Sequence, residues 1–435
     1  MSRSEQDYGF PAPLWRFIGR ARPPLPRWRS PLRGPWLTSV LGLALLVGLP
    51  IVIITGLLSY IAYGPQLGYA IPPDVGVLKL PVFDWPTRPV WLYRLTQGLH
   101  VGLGLVLVPI VLAKLWSVIP KLFAWPPVRS LAEALERVSL LLLVGSILFQ
   151  IVTGVLNIQY DYVFGFSFYA AHYTGAWIFI GAFVAHVAIK LPIMLRGLRS
   201  RSLRAELRTP LARTRPEHDD GNDLVAPDPV PPTLSRRGLL AVVGGGALLV
   251  AALVSGQSVG GVLRPTSFLL PRGRTIAGGD GGPNDFPVNR TFAASGIDPA
   301  ATGDGWWLEL AGGRPVRLDR AALAGMAQHT AVLPIACVEG WSTVQTWSGV
   351  RLRDLAALAG VPEPAAALVR SIEQGPFAQA ALTSGQVLDP DSLLALHVNG
   401  ADLSPDHGFP ARVIVPALPG VHCTKWVRTI EFRSA

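Results

Sequence analysis

Cysteine is almost absent from this chain, and one of its two cysteines lies in a stretch with the features of a ligand position. The stretch IACVEGWSTVQTWSGV, residues 335 to 350, puts Cys337 after an apolar run typical of a strand and before a turn containing Gly340. A side chain at a strand end can reach a bound cofactor. Thiolate suits a thiophilic metal, and one thiolate is sufficient when a cofactor supplies the other ligands. The alternative is that Cys337 is a small buried hydrophobic residue.

Three histidines form a second set of candidate ligands, because they lie in long apolar segments. Ionisable side chains are costly inside a bilayer, so a function is expected for them there. His172 and His186 are fourteen residues apart, about 21 Å along a helix and on nearly the same face. His100 lies in another apolar segment that runs in the same direction, so it can lie level with His172. Since haem b takes axial ligands from facing helices, we predict one haem bound by His100 and His172.

A second haem position is less complete. Lys114 stands fourteen residues after His100, where a four-histidine arrangement would have its last ligand. Either His186 binds a second haem iron with Lys114 or another ligand opposite it, or that haem has been lost. The alternative for all three histidines is packing and hydrogen bonding between helices. The arrangement resembles the four-helix b-type cytochromes that exchange electrons with quinones, and this resemblance implies quinone as the redox partner.

The chain around these histidines has the composition of a membrane protein. Half of its 435 residues are hydrophobic and 15% are charged, against about 25% charged in ordinary globular chains. Five apolar segments are long enough, or nearly so, to cross the bilayer as helices. They cover about 36 to 63, 90 to 118, 138 to 158, 163 to 189 and 238 to 263. The formal charge of +10 does not indicate nucleic-acid binding, because the arginines flank these segments instead of forming one basic soluble face.

The distribution of arginine predicts the orientation of the segments. Arginines are concentrated before the first segment and after the fourth, so both flanks are expected in the cytoplasm. They are Arg16, Arg20, Arg22, Arg27, Arg29 and Arg33, and Arg196, Arg199, Arg201, Arg204 and Arg208. The loops at about 64 to 89 and 159 to 165 are poor in lysine and arginine, as expected outside. We therefore expect a multi-pass protein of the bacterial cytoplasmic membrane, with the chain after residue 264 on the extracytoplasmic side.

The fifth segment begins with a signal of its own. SRRGLL, residues 235 to 240, has a twin-arginine pair before a Gly-rich apolar stretch. It resembles a twin-arginine export signal, which implies the twin-arginine export machinery as a partner. The alternative is that Arg236 and Arg237 only anchor the helix on the cytoplasmic side. Residues 200 to 232, before this segment, are charged and proline-rich, so a flexible cytoplasmic linker is expected.

The chain after about residue 283 has the composition of a soluble domain. WWLELAGG, ARVIVPAL and VRTIEF predict short strands, while DRAALAGMA and RLRDLAALAG predict short helices. The expected fold is an all-α transmembrane helical bundle followed by a mixed, β-rich α+β domain. The expected segments are a cytoplasmic start at 1–35, a four-helix cytochrome domain at 36–195, a linker at 196–235, a signal or fifth helix at 236–263 and an exported domain at 264–435.

The end of the chain resembles a known cofactor domain. CVEGWSTVQTWSGVRLRDLAALAG, followed by LLALHVNGADLSPDHGFPARVIVPALPGVHCTKWVRTIEF, is similar to the molybdopterin-binding domain of the sulfite oxidase family. It is particularly similar to small bacterial members related to the exported molybdenum subunit of methionine sulfoxide reductase, with the motifs in the family's order. The resemblance implies that Cys337 is the protein thiolate on molybdenum, whose other ligands are the pterin dithiolene and oxo groups.

The same resemblance implies five cofactor-binding positions. The pterin ends in an anionic phosphate, which needs cationic donors and backbone amides. His407, Arg412 and Lys425 match the family's HG-P-R and KW motifs, and Asn284 resembles an asparagine that contacts the pterin. His422 stands where relatives often carry Arg or Lys, and it can donate to the phosphate or to an oxyanion substrate. The alternatives are solvated strand-edge charges and a turn histidine.

Three further residues near these motifs are expected to be structural. Cys423 replaces a small hydroxyl residue of the family, and we interpret it as a buried free thiol. Trp341 and Trp347 are expected in the core.

These patterns predict a membrane-bound molybdenum oxidoreductase that transfers oxo atoms. The predicted reaction is reduction of an S-oxide or N-oxide, such as methionine sulfoxide, with electrons relayed from the quinone pool through haem b. Sulfite oxidation calls for clustered arginines, and residues 331 to 381 hold only Arg351, Arg353 and Arg370. The alternatives are a sulfite oxidase-like dehydrogenase that passes electrons to quinone, and a non-enzymatic membrane electron-transfer protein.

Overall fold

The computed structural model describes residues 28–63, 83–123, 131–158, 168–218, 224–269, 281–375 and 378–434. The N-terminal segment up to residue 27, with four of the flanking arginines, lies outside these residues. So do residues 64–82 and 159–165 of the predicted outer loops. The orientation of the chain in a membrane therefore stays a prediction.

Among the described residues, five helices are long and apolar enough to cross a membrane, as the sequence predicts. They span Pro35–Tyr63, Leu92–Leu122, Ala134–Asn157, Phe168–Arg199 and Arg236–Val259. The second consists of two runs, Leu92–Val106 and Val108–Leu122, separated at Leu107. Large apolar side chains are exposed on the surfaces of all five, among them Val47, Leu112, Leu141, Val184 and Leu248. Since contiguous exposed apolar surface marks a contact with lipid or protein, the helices suggest a membrane protein.

Packing divides the chain into two compact units. The first comprises Met1–Pro50, Gly104–Thr153 and His172–Val250, and the second comprises Ile51–Leu103, Gly154–Ala171 and Ala251–Ala435. Each unit therefore contains parts of several apolar helices. The second also contains the β-sheets.

A buried ion cluster organises the start of the first helix in the first unit. The Glu217 carboxylate accepts hydrogen bonds from the backbone N–H groups of Trp36 (2.8 Å) and Leu37 (3.3 Å). These N–H groups lack partners inside the helix, so the carboxylate caps its N-terminus. Arg236 is 1% exposed, and its guanidinium lies 3.6 Å from both Glu206 and Glu217. Burial raises the pKa of Glu217, while these N–H groups and Arg236 act in the opposite direction.

The segment between the fourth and fifth helices differs from the flexible linker expected for residues 200 to 232. Its described part contains a helix, Leu203–Arg208, capped by Ser202, and a 3-10 turn, Leu211–Arg213. The fourth helix also continues to Arg199, so the basic residues at its end lie in its last turn, where cations are favoured. The ion cluster is the physical reason why this segment is folded, because Glu206 and Glu217 are buried against Arg201 and Arg236.

The second unit contains two five-stranded sheets. The strands are β1 (Trp307–Ala311), β2 (Val316–Asp319), β3 (His329–Ala336), β4 (Ser342–Arg351), β5 (Ala366–Ser371), β6 (Gln379–Thr383), β7 (Leu393–Val398), β8 (Ala401–Asp402), β9 (Arg412–Ile414) and β10 (Val427–Arg433). One sheet has the order β2-β1-β10-β5-β6, with β1 and β10 parallel. The other has the order β3-β4-β7-β8, and β9 pairs with β7. Short helices, including Arg320–Gly325 and Leu352–Leu358, lie between strands, so the predicted mixed β-rich domain is confirmed.

The core of the second sheet follows from the alternation of side chains along β3. Ala331, Leu333 and Ile335 point inward, while Val332 is exposed, as the period of two in a strand requires. The inward residues pack with Phe286 and Trp347, whose rings meet edge to face at 5.8 Å. This packing fixes the end of β3, where Cys337 follows.

A segment before the second apolar helix also packs into the second unit. Trp85 is 4% exposed, and its indole N–H donates to the Ala417 carbonyl (2.8 Å). The Gln386 amide donates to the Trp85 carbonyl (3.1 Å). Arg88 pairs with Asp389 and Asp391. The second unit therefore includes residues that precede the second apolar helix in the sequence as well as residues that follow the fifth.

We expect Arg236 and Arg237 to respond differently to substitution. Arg236→Met would leave Glu206 and Glu217 buried without their cation, which should cost about 3–5 kcal/mol of stability. Arg237→Met removes an exposed charge and should change stability by about 0.5 kcal/mol at most. The measurement is the thermal unfolding temperature of each detergent-purified variant. Equal losses for the two arginines would contradict a structural role specific to Arg236.

Candidate functional site

β3 delivers Cys337 into a five-residue loop that leads to β4. The pairing of Ala336 with Ser342 closes this loop. The Cys337 N–H donates to the Trp341 carbonyl (2.9 Å), and the Gly340 N–H donates to the Cys337 carbonyl (3.0 Å). Gly340 has a φ of 97°, in the left-handed region that favours glycine. Cys337 is 7% exposed, so the loop holds its thiol in buried surroundings at the end of the sheet.

The segment between β9 and β10 lies beside this loop and carries buried polar groups. The Gly420 N–H donates to the carbonyl of Ala336 (2.8 Å), the residue before Cys337. His422 is fully buried, and the Tyr63 ring stacks on it at 5.9 Å. Among the described residues, no hydrogen bond of good geometry reaches either ring nitrogen of His422 or the hydroxyl of buried Thr424. Because buried polar groups are nearly always bonded, these atoms are candidates for contact with a ligand.

Arg412 and Lys425 bring basic groups to the same region without ion pairs. Arg412 is 4% exposed, and its guanidinium donates to the carbonyls of Cys423 (3.1 Å) and His407 (3.3 Å). The Lys425 amine donates to the carbonyls of Arg290 (2.5 Å) and Asp406 (2.9 Å). A guanidinium buried without a carboxylate is costly unless an anion binds near it. The pair is therefore suited to an anionic ligand.

His407 and Asn284 support these basic groups. The His407 ring stacks on Phe286 with 3.6 Å between centroids, and its Nε2 donates to the Asn284 carbonyl (2.9 Å). The Asn284 side chain donates to the Asp402 carbonyl and accepts from the Ser404 N–H, both at 2.9 Å. Asn284 therefore holds the backbone around His407, and its side-chain amide is already bonded at both ends.

The electrostatics of the cluster favour an anion. Burial lowers the pKa of Arg412 to about 10, which leaves the guanidinium charged at neutral pH. Burial lowers the pKa of Lys425 well below its usual value, and the charge of Arg412 adds to this effect. Glu373, Asp406 and Cys337 act on Lys425 in the opposite direction. A bound anion would favour the charged amine, and the thiol of Cys337 lies within its electrostatic reach.

The two histidines of the cluster are neutral at pH 7. Burial lowers the pKa of His407 to about 3, with the charges of Arg412 and Lys425 adding to the effect. Burial lowers the pKa of His422 to about 4, and the backbone of Tyr63 opposes this only in part. A neutral imidazole has one N–H donor and one acceptor nitrogen, so His422 can donate to an oxygen without carrying charge.

The three structural expectations near the site are met. Cys423 is a buried free thiol in the core, and burial raises its pKa. Trp347 is fully buried and donates to the Leu333 carbonyl. Trp341 is 4% exposed and donates to the Glu339 carboxylate (3.0 Å).

In the apolar helices, His100 and His172 are oriented alike, each within its own unit. His100 Nδ1 donates to the Val52 carbonyl (2.9 Å), and a Cβ on Gly56 would lie 2.6 Å from its ring. His172 Nδ1 lies 3.1 Å from the hydroxyl of Thr153, which itself donates to the Phe149 carbonyl. The Val52 carbonyl can only accept, so Nδ1 of His100 carries the proton and Nε2 the lone pair; His172 has the same tautomer when the Thr153 hydroxyl donates to Phe149. This is how metal-binding histidines are usually held.

His186 lacks this support. Within the described part of the chain its ring has no hydrogen bond, and the charged groups that act on it are Lys114, Lys190 and Glu136. The Lys114 amine donates to the Thr38 carbonyl (2.6 Å) of the first helix, and a Cβ on Gly42 would lie 3.1 Å from it. Lys190 and Glu136 form an ion pair with each other. The second haem position therefore stays a prediction.

Comparison with known proteins defines the class of the C-terminal part. Residues 295–435 match the family model described as oxidoreductase molybdopterin binding domain. The match supports a sulfite-oxidase-type molybdopterin-binding oxidoreductase domain in this part of the chain, and it indicates an oxidoreductase enzyme. The resemblance seen in the sequence is confirmed for this domain.

Individual relatives match a limited share of the chain. An uncharacterized oxidoreductase of Bacillus subtilis (strain 168), YuiH, is 35% identical over 29% of this chain and 65% of its own length. Sulfite oxidase of Arabidopsis thaliana is 36% identical over 20% of this chain and 25% of its own length. An NADH nitrate reductase of Volvox carteri is 36% identical over 19% of this chain and 11% of its own length. The chain thus spans less than two thirds of each of these relatives.

The donor set around Cys337 fits a molybdopterin cofactor. A metal bound to pterin sulfur needs one further soft ligand, and Cys337 supplies a thiol at a strand end. The anionic end of the pterin needs basic donors, and Arg412 and Lys425 have no carboxylate partner in the part of the chain that the structure describes. His422 and Thr424 add buried polar atoms that have no hydrogen bond of good geometry among the described residues.

Two residues at this site escape the sequence patterns. Thr424 lies between His422 and Lys425, which the family motifs predict to bind the cofactor. Thr424 itself is indicated only by its buried hydroxyl, which has no hydrogen-bond partner among the described residues. Tyr63 lies 359 positions before His422 in the numbering, so no local pattern joins the two.

We expect the cofactor-free protein to lose stability as the pH falls. The folded pKa values of His407 and His422 lie below the usual 6.5, so the unfolded chain takes up protons first. Stability should be complete above about pH 6.5 and decrease toward pH 4. The measurement is the unfolding temperature between these pH values, using protein from a host that cannot make the cofactor.

His422→Gln should make this dependence shallower, because it removes one of the groups that the unfolded chain protonates more readily than the folded protein does. His218→Gln, at an exposed position, is the control and should leave the slope unchanged. An unchanged slope for His422→Gln would contradict the assignment.

Proposed function

We propose that this chain is a membrane-bound molybdenum-cofactor oxidoreductase that reduces S-oxides or N-oxides, such as methionine sulfoxide, with electrons from quinol. The observation that carries the proposal is the position of Cys337 at the end of β3, in the region of basic side chains without ion pairs and of a buried histidine whose ring nitrogens have no hydrogen bond of good geometry among the described residues. When bound, the cofactor supplies a centre that accepts and releases an oxo atom.

The residues of the chain have separate roles in this proposal. Cys337 binds the metal as a thiolate. Arg412 and Lys425 bind the anionic end of the pterin, while His407 and Asn284 hold the backbone that positions them. The neutral His422 ring donates one N–H to the cofactor phosphate or to the substrate oxygen.

The reaction balances with quinol as the reductant. Two electrons and two protons leave the quinol, the S–O bond of the substrate breaks, and its oxygen leaves as water. The products are a sulfide, water and quinone. Electrons would pass singly through haem b, with His100 and His172 as axial ligands. Their Nδ1 hydrogen bonds support this assignment, and His186 is the candidate ligand of a second haem.

The direction of the reaction is inferred from the arginines. Arg351 contacts His329 (2.7 Å), Arg370 pairs with Glu431 (3.3 Å), and Arg353 is 40% exposed beside Asp354. Each of these side chains is thus engaged with a group other than Cys337. A neutral S-oxide needs no cluster of cations, whereas sulfite does.

Sulfite oxidation is the second candidate, because several relatives are named sulfite oxidase. Sulfite, water and quinone would give sulfate and quinol, with the two electrons travelling in the opposite direction. Under either reaction, we propose a location in the bacterial cytoplasmic membrane with the C-terminal domain outside. Arg236 and Arg237 would then serve as a twin-arginine export signal during biogenesis.

The first test is the metal content of the full-length protein purified in detergent. One molybdenum per iron is expected for the enzyme with a single haem, and two irons per molybdenum would mean that His186 also binds haem. Absence of molybdenum, in a host that makes the cofactor, would overturn the assignment of Cys337 and favour a non-enzymatic electron carrier.

The second test separates the two metal centres. Cys337→Ser should reduce methionine sulfoxide turnover to background, because the metal loses its only protein sulfur, while the haem absorbance spectrum is retained. Cys423→Ser is the matched thiol control and should keep its activity. Conversely, His172→Leu should remove the haem spectrum and quinol-dependent turnover but retain molybdenum. Retained turnover in Cys337→Ser would contradict the proposal.

A further inference from the structure

A buried glutamine joins the Cys337 loop to the helix that carries His100. Gln97 lies inside the second apolar helix and is 2% exposed. Its amide nitrogen donates to the carbonyl of Val338, the residue after Cys337. Its amide oxygen accepts from the Ser59 hydroxyl (2.5 Å), which lies on the first helix. Both ends of the amide are used, so its orientation is fixed.

Other contacts hold the same loop against helix ends within the second unit. The Ser258 hydroxyl donates to the Gly340 carbonyl (3.0 Å), and the Ser342 hydroxyl donates to the Ser258 carbonyl (3.1 Å). A Cβ on Gly340 would lie 2.8 Å from Cβ of Val101. The loop therefore contacts the second helix at Gln97 and Val101, on either side of His100 in the sequence.

We infer that Gln97 is a positioning residue that couples the Cys337 loop to His100 for electron transfer. The inference rests on the proposed function, since it needs metal at Cys337 and haem at His100. A continuous path runs from Cys337 to the Val338 carbonyl, across the hydrogen bond to Gln97, and along three residues of helix, about 4.5 Å. Each quinol would give two electrons, and these would cross this path one at a time from the haem held by His100 to the metal held by Cys337.

Gln97 is suited to this role for physical reasons. A buried amide whose two ends are bonded is costly to leave unpaired, so it keeps the loop and the helix in register. An apolar residue of similar size would fill the space but would remove the hydrogen bonds that Gln97 makes to the Val338 carbonyl and the Ser59 hydroxyl. The substitution would then disturb the position of the loop, while the proposed metal ligands Cys337 and His100 would remain in the chain.

The test compares Gln97→Leu and the milder Ser59→Ala with Thr96→Val. Thr96 is the matched control, because its buried hydroxyl donates to the Tyr93 carbonyl of its own helix. The first measurement is amide hydrogen exchange of the peptide covering residues 337–342 in cofactor-free protein. We expect exchange about tenfold faster in Gln97→Leu, a smaller increase in Ser59→Ala, and no change in Thr96→Val.

The second measurement uses the loaded, full-length enzyme. Dithionite-reduced protein is mixed with methionine sulfoxide, and reoxidation of haem is followed by its absorbance. Reoxidation should be about tenfold slower in Gln97→Leu, the factor that corresponds to about 1.4 kcal/mol. Turnover with a reduced viologen that donates to molybdenum directly should be unchanged, and the haem spectrum should be retained.

The outcomes separate this inference from the proposed function. Unchanged exchange in Gln97→Leu and Ser59→Ala would overturn the positioning role. Faster exchange with normal haem reoxidation would overturn the coupling. Absence of haem or molybdenum from the wild-type protein would overturn the proposed function and the coupling with it, while the exchange comparison would still decide whether Gln97 holds the loop.

Discussion

The second unit is built around basic side chains that are buried without carboxylates. A buried charge is costly, so everything that surrounds Arg412 must compensate for it. The carbonyls of His407 and Cys423 accept its hydrogen bonds, and the Trp347 ring lies 5.7 Å from its guanidinium. Among the described strands β9 pairs with β7 alone, and the Arg412 side chain that it carries is 4% exposed. The fold thus supplies neutral acceptors, an arrangement that is suited to an anionic ligand.

The first unit treats a buried arginine differently. Arg236 is even less exposed than Arg412, but two carboxylates lie near it, and one of them also caps the first apolar helix. The contrast separates an arginine that stabilises a fold from one that is suited to bind an anion. Burial alone does not distinguish the two, whereas the nature of the partners does.

The sequence predicts the elements of this fold better than their contacts. Five apolar segments predict five helices, and the run AVLPIA predicts the strand that ends directly before Cys337, because both signals are local. The resemblance to the family predicts that His407, Arg412 and Lys425 lie in one region. The sequence does not predict that Gln97 bonds to Val338, since 241 positions separate them. The buried carboxylates of residues 200 to 232 are missed for the same reason, because a charged, proline-rich segment has no apolar period to indicate packing.

The composition of the chain changes after the fifth apolar helix, but the second compact unit does not begin there. Trp85 lies before the second apolar helix, yet its indole is buried against Ala417 and its carbonyl is bonded by Gln386. A gene cut at residue 264 would therefore express a fragment that lacks part of its own interior. To produce the catalytic domain in soluble form, the segment around Trp85 would have to be supplied as a separate chain. Alternatively, the residues that Trp85 covers would have to be substituted.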